Sequence, residues 1–256
     1  MEIDDITFEL YKHYIGIQTK KDLADYLNKI QQQLIKYGPT YKCIDQFKFA
    51  VPRMKYRFFY NIILDYGKKK KDEPYLIDIG CCTGTDIRQL ALDGYPSQYL
   101  IGLDNTNHFI QCGYDLFQDE HQAPFTFLQQ DIFHPSSLQN YQQKVLVLMA
   151  GSLLHLFQSL SQIQQWFDII LLLLKPNALF VGAHVITKNK SSTMIQRSSS
   201  SSSSKFYLSQ HDFYQLLVHY GFQHIQMEID PHSSNHPDLC WLSYSAIYCP
   251  ISPSNN

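Results

Sequence analysis

The residues best placed to do chemistry surround a short turn of small side chains. Residues 75–86 read Y-L-I-D-I-G-C-C-T-G-T-D, so an apolar run ends in Asp78 and a turn with Gly80 and Gly84 follows. A helical pattern of apolar residues then continues to Gly94. Glycine lets a backbone approach a ligand closely, and the first turn of a helix offers unpaired N–H groups. This order of strand, turn and helix predicts a site for a nucleotide-like ligand.

Two further acids follow the next predicted strands. The strand predicted at 99–103 ends beside Asp104, about 20 residues beyond the turn, where one carboxylate can bind both hydroxyls of a ribose. A third strand, predicted at 125–129, is followed by Asp131. The three strand ends are therefore predicted to contribute to the same ligand site.

Strands that alternate with helices must position these residues. We predict a fourth strand at 145–150, a helix at 161–174 and a fifth strand at 179–186. Two closing strands are predicted at 222–229 and 240–248. The pattern predicts an α/β fold with a doubly wound, seven-stranded, mostly parallel sheet and an antiparallel edge strand.

An N-terminal helical arm is predicted to precede the sheet. Apolar residues share one face of an amphipathic helix at 20–37, and an aromatic-rich helix is predicted at 56–66. The predicted division is therefore an arm or lid at 1–72 and a main domain at 73–256. The aromatic residues of the arm either attach it to the main domain or line an apolar pocket.

A polar stretch interrupts the alternation near residues 188–205. It contains an unbroken serine run from Ser198 to Ser204, and it has too few apolar residues to offset the entropy cost of ordering. We predict a disordered insertion, with a phosphorylated or lid-forming loop as the alternative. Regular structure is predicted to resume at the capping sequence S-Q-H-D, which begins at Ser209.

The composition limits the classes of partner. The 256 residues carry a net charge of -2, so no basic surface is expected for a nucleic acid. No segment approaches the roughly 18 unbroken apolar residues of a membrane span, and a soluble, cytoplasmic protein is expected. The six cysteines show no C-x-x-C spacing, so reduced thiols and no metal site are predicted.

These motifs resemble those of the class I S-adenosylmethionine-dependent methyltransferases, which have a Rossmann-like fold. In that family the first strand ends in an acid and is followed by a G-x-G-x-G turn. Asp78, Gly80 and Gly84 match this pattern, whereas Cys82 takes the place of the middle glycine. The G-x-G-x-x-G turn typical of nicotinamide-dependent dehydrogenases is not present.

A closer resemblance covers roughly residues 41–186. The strings D-I-G-C-C-T-G-T-D-I-R-Q-L-A-L-D-G, G-Y-D-L-F-Q-D and L-L-H-L-F are similar to those of fungal secondary-metabolite methyltransferases of meroterpenoid and related pathways. Those enzymes often form methyl esters, and the double cysteine is characteristic of them. The resemblance implies a small, hydrophobic methyl acceptor and S-adenosylmethionine as the cofactor.

The resemblance also implies a set of cofactor contacts. Asp78 and the backbone at Gly80 would hold the methionine amino group, Asp104 the ribose, and the strand end at Asp131 the adenine edge. The full predicted set is Asp78, Gly80, Cys82, Gly84, Asp104, Asn105, Asp131, Ile132, Ala150 and Gly151. Each acid also has a purely structural alternative, because Asp78 could cap the turn, Asp104 could cap a helix and Asp131 could be an ordinary loop residue.

Methyl transfer from a sulfonium requires few catalytic side chains, because positioning of the reactants and exclusion of water can supply most of the catalysis. A carboxylate acceptor needs no base, whereas a hydroxyl acceptor does. His155, just past the fourth strand, is the predicted catalytic residue, either by contact with the acceptor or as a general base. It could also be a core histidine. Asp86 and Arg88 match a family acid and arginine, which could form an ion pair or contact the ligand.

Methyl transfer to an oxygen of a small molecule is the predicted activity. The alternatives are a protein methyltransferase and a cofactor-binding module without turnover. The oligomeric state is left open.

Overall fold

The computed structural model describes residues 2–37, 41–69, 73–134, 136–196, 204–230 and 236–250. The helices are α1 (Asp5–Ile15), α2 (Lys20–Tyr37), α3 (Lys42–Asp45), α4 (Tyr60–Lys69), α5 (Thr85–Leu92), α6 (Asn107–Phe117), α7 (Leu160–Leu171) and α8 (Gln210–His219). The strands are β1 (Tyr75–Ile79), β2 (Leu100–Asp104), β3 (Thr126–Gln129), β4 (Val145–Gly151), β5 (Leu174–Thr187), β6 (Thr193–Gln196), β7 (Ser204–Tyr207), β8 (Phe222–Asp230) and β9 (Leu239–Tyr248).

Seven strands form one sheet in the order β3-β2-β1-β4-β5-β9-β8. β4 pairs in parallel with β1 and β5, whereas β9 is antiparallel to both β5 and β8. This topology confirms the predicted fold class. The antiparallel strand is β9, which lies one position in from the edge, so the edge strand β8 runs parallel to β5.

The contacts divide the chain into two units with three breaks, of which the first lies within one residue of the predicted boundary at residue 72. Met1–Lys71 group with Gly80–Asp131, and Asp72–Ile79 group with Ile132–Asn256. In the first unit α1, α2 and α6 share an apolar core, in which the Tyr11 and Phe117 rings stack with their centroids 5.0 Å apart. The N-terminal helices therefore complete the core of this unit.

Some element boundaries differ from the prediction. The sequence patterns missed α1, which begins after Asp4, whose carboxylate accepts a hydrogen bond from the Thr7 backbone N–H at 2.8 Å. The aromatic-rich helix begins at Tyr60 rather than at residue 56. The helix predicted at 161–174 ends at Leu171, because the chain enters β5 at Leu174 with an irregular first segment.

The predicted disorder at 188–205 is wrong for part of that stretch. β6 and β7 form an antiparallel hairpin in which Thr193 pairs with Tyr207. The side chains of Ile195 and Tyr207 are buried against Val185 and Leu239, which supplies the apolar contact that the local composition did not reveal. Residues 197–203, which hold most of the serine run, lie outside the described residues.

Two kinds of feature are absent from the part of the chain that the structure describes. None of its helices combines the length and the apolar character that crossing a bilayer requires. Its histidine, cysteine and acidic side chains also do not gather in threes at a place suited to a metal ion.

Candidate active site

The turn after β1 is attached to the end of β2. The backbone N–H groups of Gly80 and Cys81 both donate to the Leu103 carbonyl, at 2.7 and 3.0 Å. Gly84 has a φ of +68°, and a Cβ there would lie 2.3 Å from the Phe127 ring. Only glycine fits this position, because both its backbone conformation and its contact exclude a side chain.

Cys82 adopts a backbone conformation that favours glycine. Its φ of 54° lies in the left-handed region, which side chains rarely adopt. The turn therefore keeps the shape of a glycine turn although the middle glycine is absent. Burial raises the pKa of the Cys82 thiol far above its usual range, so this group is protonated at neutral pH.

The Asp104 carboxylate is held in place by two backbone N–H groups. Cys82 donates to Oδ2 and Thr106 donates to Oδ1, both at 2.9 Å. Only 8% of Asp104 is exposed. Burial raises the pKa of its carboxyl group, and the hydrogen bonds from the backbone oppose that shift. Each oxygen keeps further lone-pair capacity, which fits recognition of a diol such as a ribose.

The other predicted cofactor residues differ in exposure. Asp78 on β1 and Ile132 are buried, whereas Asp131 is exposed. Asn105 is also exposed, and its side-chain oxygen accepts a hydrogen bond from the Thr106 hydroxyl at 2.9 Å. The first unit thus brings together Gly80, Cys82, Gly84, Asp104 and Asn105.

Ala150 and Gly151 end β4 in the second unit, where they pair with Gly182 and Ala183 of β5. A Cβ on Gly182 would lie 2.3 Å from the Ala150 carbonyl oxygen, so the strands are in close contact here. Both predicted residues are buried at this position.

Arg88 is a structural residue of the turn. Its guanidinium is fully buried, forms a bidentate ion pair with Asp119 and donates to the Thr83 carbonyl at 2.7 Å. Asp86 is not its partner, because the Asp86 carboxylate accepts from the Met54 backbone N–H at 2.9 Å. Of the two predicted alternatives, Arg88 thus forms the turn-stabilising ion pair, with Asp119 rather than Asp86 as its partner. The motif G-Y-D-L-F-Q-D, which ends in Asp119, carried the missed signal.

A segment of the N-terminal region is hydrogen-bonded to the same turn. The hydroxyls of Thr83 and Thr85 donate to the Phe49 carbonyl, at 2.8 and 2.6 Å. Together with the bond from Met54 to Asp86, they fix residues 48–57 against the start of α5. Sequence patterns gave no indication of these contacts, because the partners lie more than 30 residues apart.

His155 lies in a short 3-10 helix that follows β4. Its Nδ1 accepts a long hydrogen bond, 3.4 Å, from the Val185 backbone N–H, and its ring is perpendicular to that of Trp241 at 5.7 Å. An accepting Nδ1 places the proton of a neutral ring on Nε2. The ring is partly exposed, so His155 is not a wholly buried core residue.

A family model described as a methyltransferase domain matches residues 70–221, more than half of the chain. The chain belongs to this family. The predicted family is thereby confirmed, and S-adenosylmethionine is the cofactor, as predicted.

Two fungal methyltransferases are similar in sequence. O-methyltransferase phiE of a fungal species (strain ATCC 74256) is 36% identical over 46% of this chain and 39% of its own length. O-methyltransferase atr3 of Stereocaulon alpinum is 28% identical over 72% of this chain and 53% of its own length. The chain thus spans about half, or less, of these relatives.

The fold is similar to that of the 1,6-didemethyltoxoflavin-N1-methyltransferase of Burkholderia thailandensis. That structure was solved with bound 1,6-didemethyltoxoflavin and S-adenosylhomocysteine. It is 11% identical, with a TM-score of 0.54, over 91% of this chain and 92% of the other. At this identity the likeness concerns the fold alone.

Proposed function

We propose that the chain transfers a methyl group from S-adenosylmethionine to an oxygen of a small, hydrophobic molecule. The observation that carries the proposal is the Asp104 carboxylate, buried and held by the N–H groups of Cys82 and Thr106. A carboxylate fixed in this way is preorganised for two hydroxyls of a ribose, because no side-chain rotation remains to be lost on binding.

The cofactor contacts follow from the strand ends. Asp104 and Asn105 bind the ribose, and the backbone at Gly80, Cys82 and Gly84 receives the methionine end. Asp78 lies at the end of β1 and takes the methionine ammonium group. The other proposed contacts are Asp131 and Ile132 at the adenine edge, and Ala150 and Gly151 at the end of β4.

The cofactor, when bound, supplies a methyl group already activated by the sulfonium. The chain therefore contributes orientation and exclusion of water rather than strong acid or base catalysis. His155 contacts the acceptor by donating a hydrogen bond from Nε2. Its orientation toward Val185 supports this role over that of a general base, because Nδ1 is already an acceptor and Nε2 carries the proton.

The names of phiE and atr3 support an oxygen acceptor, since both are called O-methyltransferases. A carboxylate is the acceptor that fits best, because it is already ionised and its methylation needs no base. Transfer to a hydroxyl would need a proton acceptor, and His155 in this tautomer does not supply one.

The test is transfer of a labelled methyl group. The full chain is incubated with methyl-labelled S-adenosylmethionine and a panel of aromatic acids, terpenoid acids, phenols and cell lysate. We expect label in a small acid, released by alkali as methanol, because esters hydrolyse and ethers do not. Label in lysate protein alone would favour a protein methyltransferase, and no label with intact cofactor binding would favour a module without turnover.

Variants separate binding from transfer. We expect Asp104→Ala to weaken cofactor binding at least roughly tenfold by calorimetry, whereas Asp25→Ala, at an exposed position of α2, should leave it unchanged. If Asp104→Ala kept full affinity for the cofactor, the assignment of Asp104 to the ribose would be wrong. His155→Gln retains a donor and should keep more transfer activity than His155→Ala, at equal cofactor affinity.

A further inference from the structure

A cavity of about 430 Å³ opens where β5 ends and α8 begins. The backbone around it is well fixed. The Lys188 N–H donates to the Asp238 carbonyl at 2.8 Å, and the Thr187 N–H donates to the Leu208 carbonyl at 2.9 Å. A volume of this size is in the range of small-molecule sites.

Three basic side chains line the cavity. Lys188 and Lys190 follow β5, and His211 lies in the first turn of α8. Among the described residues, neither lysine side chain forms an ion pair or a hydrogen bond, whereas the charge of His211 contributes to lowering the pKa of the neighbouring Asp212 carboxyl group. The nearby carboxylate of Asp212 is already engaged by the N–H and hydroxyl of Ser192, both at 2.6 Å. The cavity therefore offers two lysine ammonium groups and the His211 ring to an anion.

Three other residues of the lining are apolar. Ile186 and Cys240, which pair across β5 and β9, are each 1% exposed, and Ile229 of β8 is 44% exposed. Ile229 thus presents apolar surface that a ligand could cover. The combination of lysine ammonium groups and the exposed hydrocarbon of Ile229 fits an amphipathic molecule.

The cavity is on the other face of the sheet from the candidate catalytic histidine. Side chains alternate between faces along a strand, so Ile186 and its partner Cys240 point away from the face of Val185 and its partner Trp241. The His155 ring contacts Trp241. The cavity is therefore distinct from the region in which His155 would meet an acceptor.

We propose that this cavity binds a small amphipathic anion, with a carboxylate at Lys188, Lys190 and His211 and a hydrocarbon body along Ile229. Binding is reversible and requires no S-adenosylmethionine. This binding is separate from methyl transfer, so loss of one leaves the other unchanged.

The test is calorimetry of the full chain without cofactor, with decanoate below its micelle concentration as the probe. We expect saturable binding of one decanoate per chain. Three control ligands are compared with decanoate. Acetate lacks the long hydrocarbon chain, decanol lacks the negative charge, and inorganic phosphate shows whether any anion binds. Each should bind at least roughly tenfold more weakly than decanoate. Absence of saturable decanoate binding, or equal binding of phosphate, would overturn the proposal.

Two variants locate the site. Lys188→Gln with Lys190→Gln should weaken decanoate binding at least roughly tenfold, whereas Lys144→Gln, an exposed lysine before β4, should not change it. Ile229→Thr, at an exposed position, should weaken decanoate but not acetate. Decanoate affinity that is unchanged in the double lysine variant, with an unchanged circular dichroism spectrum, would contradict the assignment.

Discussion

Arg88 and Asp119 form a bidentate ion pair in which Nε and Nη2 each lie 2.7 Å from a carboxylate oxygen. Arg88 has no exposed surface, and the Phe117 and Phe127 rings lie 4.3 and 5.0 Å from its guanidinium carbon. The pair therefore joins the first turn of α5 to the segment after α6 in an apolar environment.

Removal of one partner should be costly. We expect Arg88→Met to lower the free energy of unfolding by about 3–5 kcal/mol, because the Asp119 carboxylate stays buried without its counter-charge. Urea titration followed by circular dichroism measures this. Lys12→Met breaks the exposed pair of Lys12 with Glu9 and is the control, with no measurable change expected. A double variant, Arg88→Met with Asp119→Leu, should lose less stability than Arg88→Met alone.

The hydroxyl of Thr85 should contribute to stability through the Phe49 carbonyl. Thr85→Val keeps the shape of the side chain and removes the donor, so the free energy of unfolding should fall by about 1–3 kcal/mol. Thr85→Ser keeps the donor and should lose less. Equal stability of the valine variant and the wild type in urea would show that the contact does not hold residues 48–57.

The left-handed conformation of Cys82 makes a distinct prediction. Cys82→Gly should preserve or raise the free energy of unfolding by up to about 1 kcal/mol, whereas Cys82→Val should lower it by about 1–2 kcal/mol. A β-branched side chain is the least compatible with this backbone. Cys249→Val is the control, because Cys249 is not among the residues with positive φ. Loss of stability in the glycine variant would contradict the expected relief of strain.

His184 predicts a pH dependence of stability. Burial lowers the pKa of His184 from 6.5 to about 3, and its ring nitrogens have no hydrogen-bond partner in the described part of the chain. As the pH falls, the unfolded chain is protonated at this histidine before the folded chain is. The contribution of His184 to the free energy of unfolding is therefore fully present above pH 6.5 and is lost as the pH drops toward 3. Between pH 7.5 and 5.5 this group should cost about 1.4 kcal/mol.

The comparison of His184→Leu with the wild type in urea at both pH values isolates that contribution. Between pH 7.5 and 5.5 the free energy of unfolding of the variant should fall by about 1.4 kcal/mol less than that of the wild type, since leucine cannot bind a proton. His121→Gln, at an exposed position, should keep the full pH dependence. A wild type and a leucine variant with the same pH dependence would contradict the prediction.

Local patterns were sufficient for the sheet and for the residues of the turn. Apolar runs that end in Asp78 and Asp104 reflect strands buried on both faces, so their positions were visible in the sequence. The pairing of Arg88 with Asp119 was not visible as a periodic pattern, because the two residues lie 31 positions apart. The hairpin of β6 and β7 was missed for a similar reason, since Ile195 and Tyr207 are stabilised by distant residues rather than by their neighbours.

The hydrogen bonds between residues 48–57 and the turn also determine the smallest portion of this chain that can fold. The family match begins at residue 70, yet the Thr83 and Thr85 hydroxyls have their acceptor at Phe49, and Leu116 and Phe117 are buried among residues of α1 and α2. A truncated chain that starts at residue 70 would expose this apolar surface to water and leave the hydroxyls without their acceptor. The unit that folds is therefore longer than the segment that the family model matches.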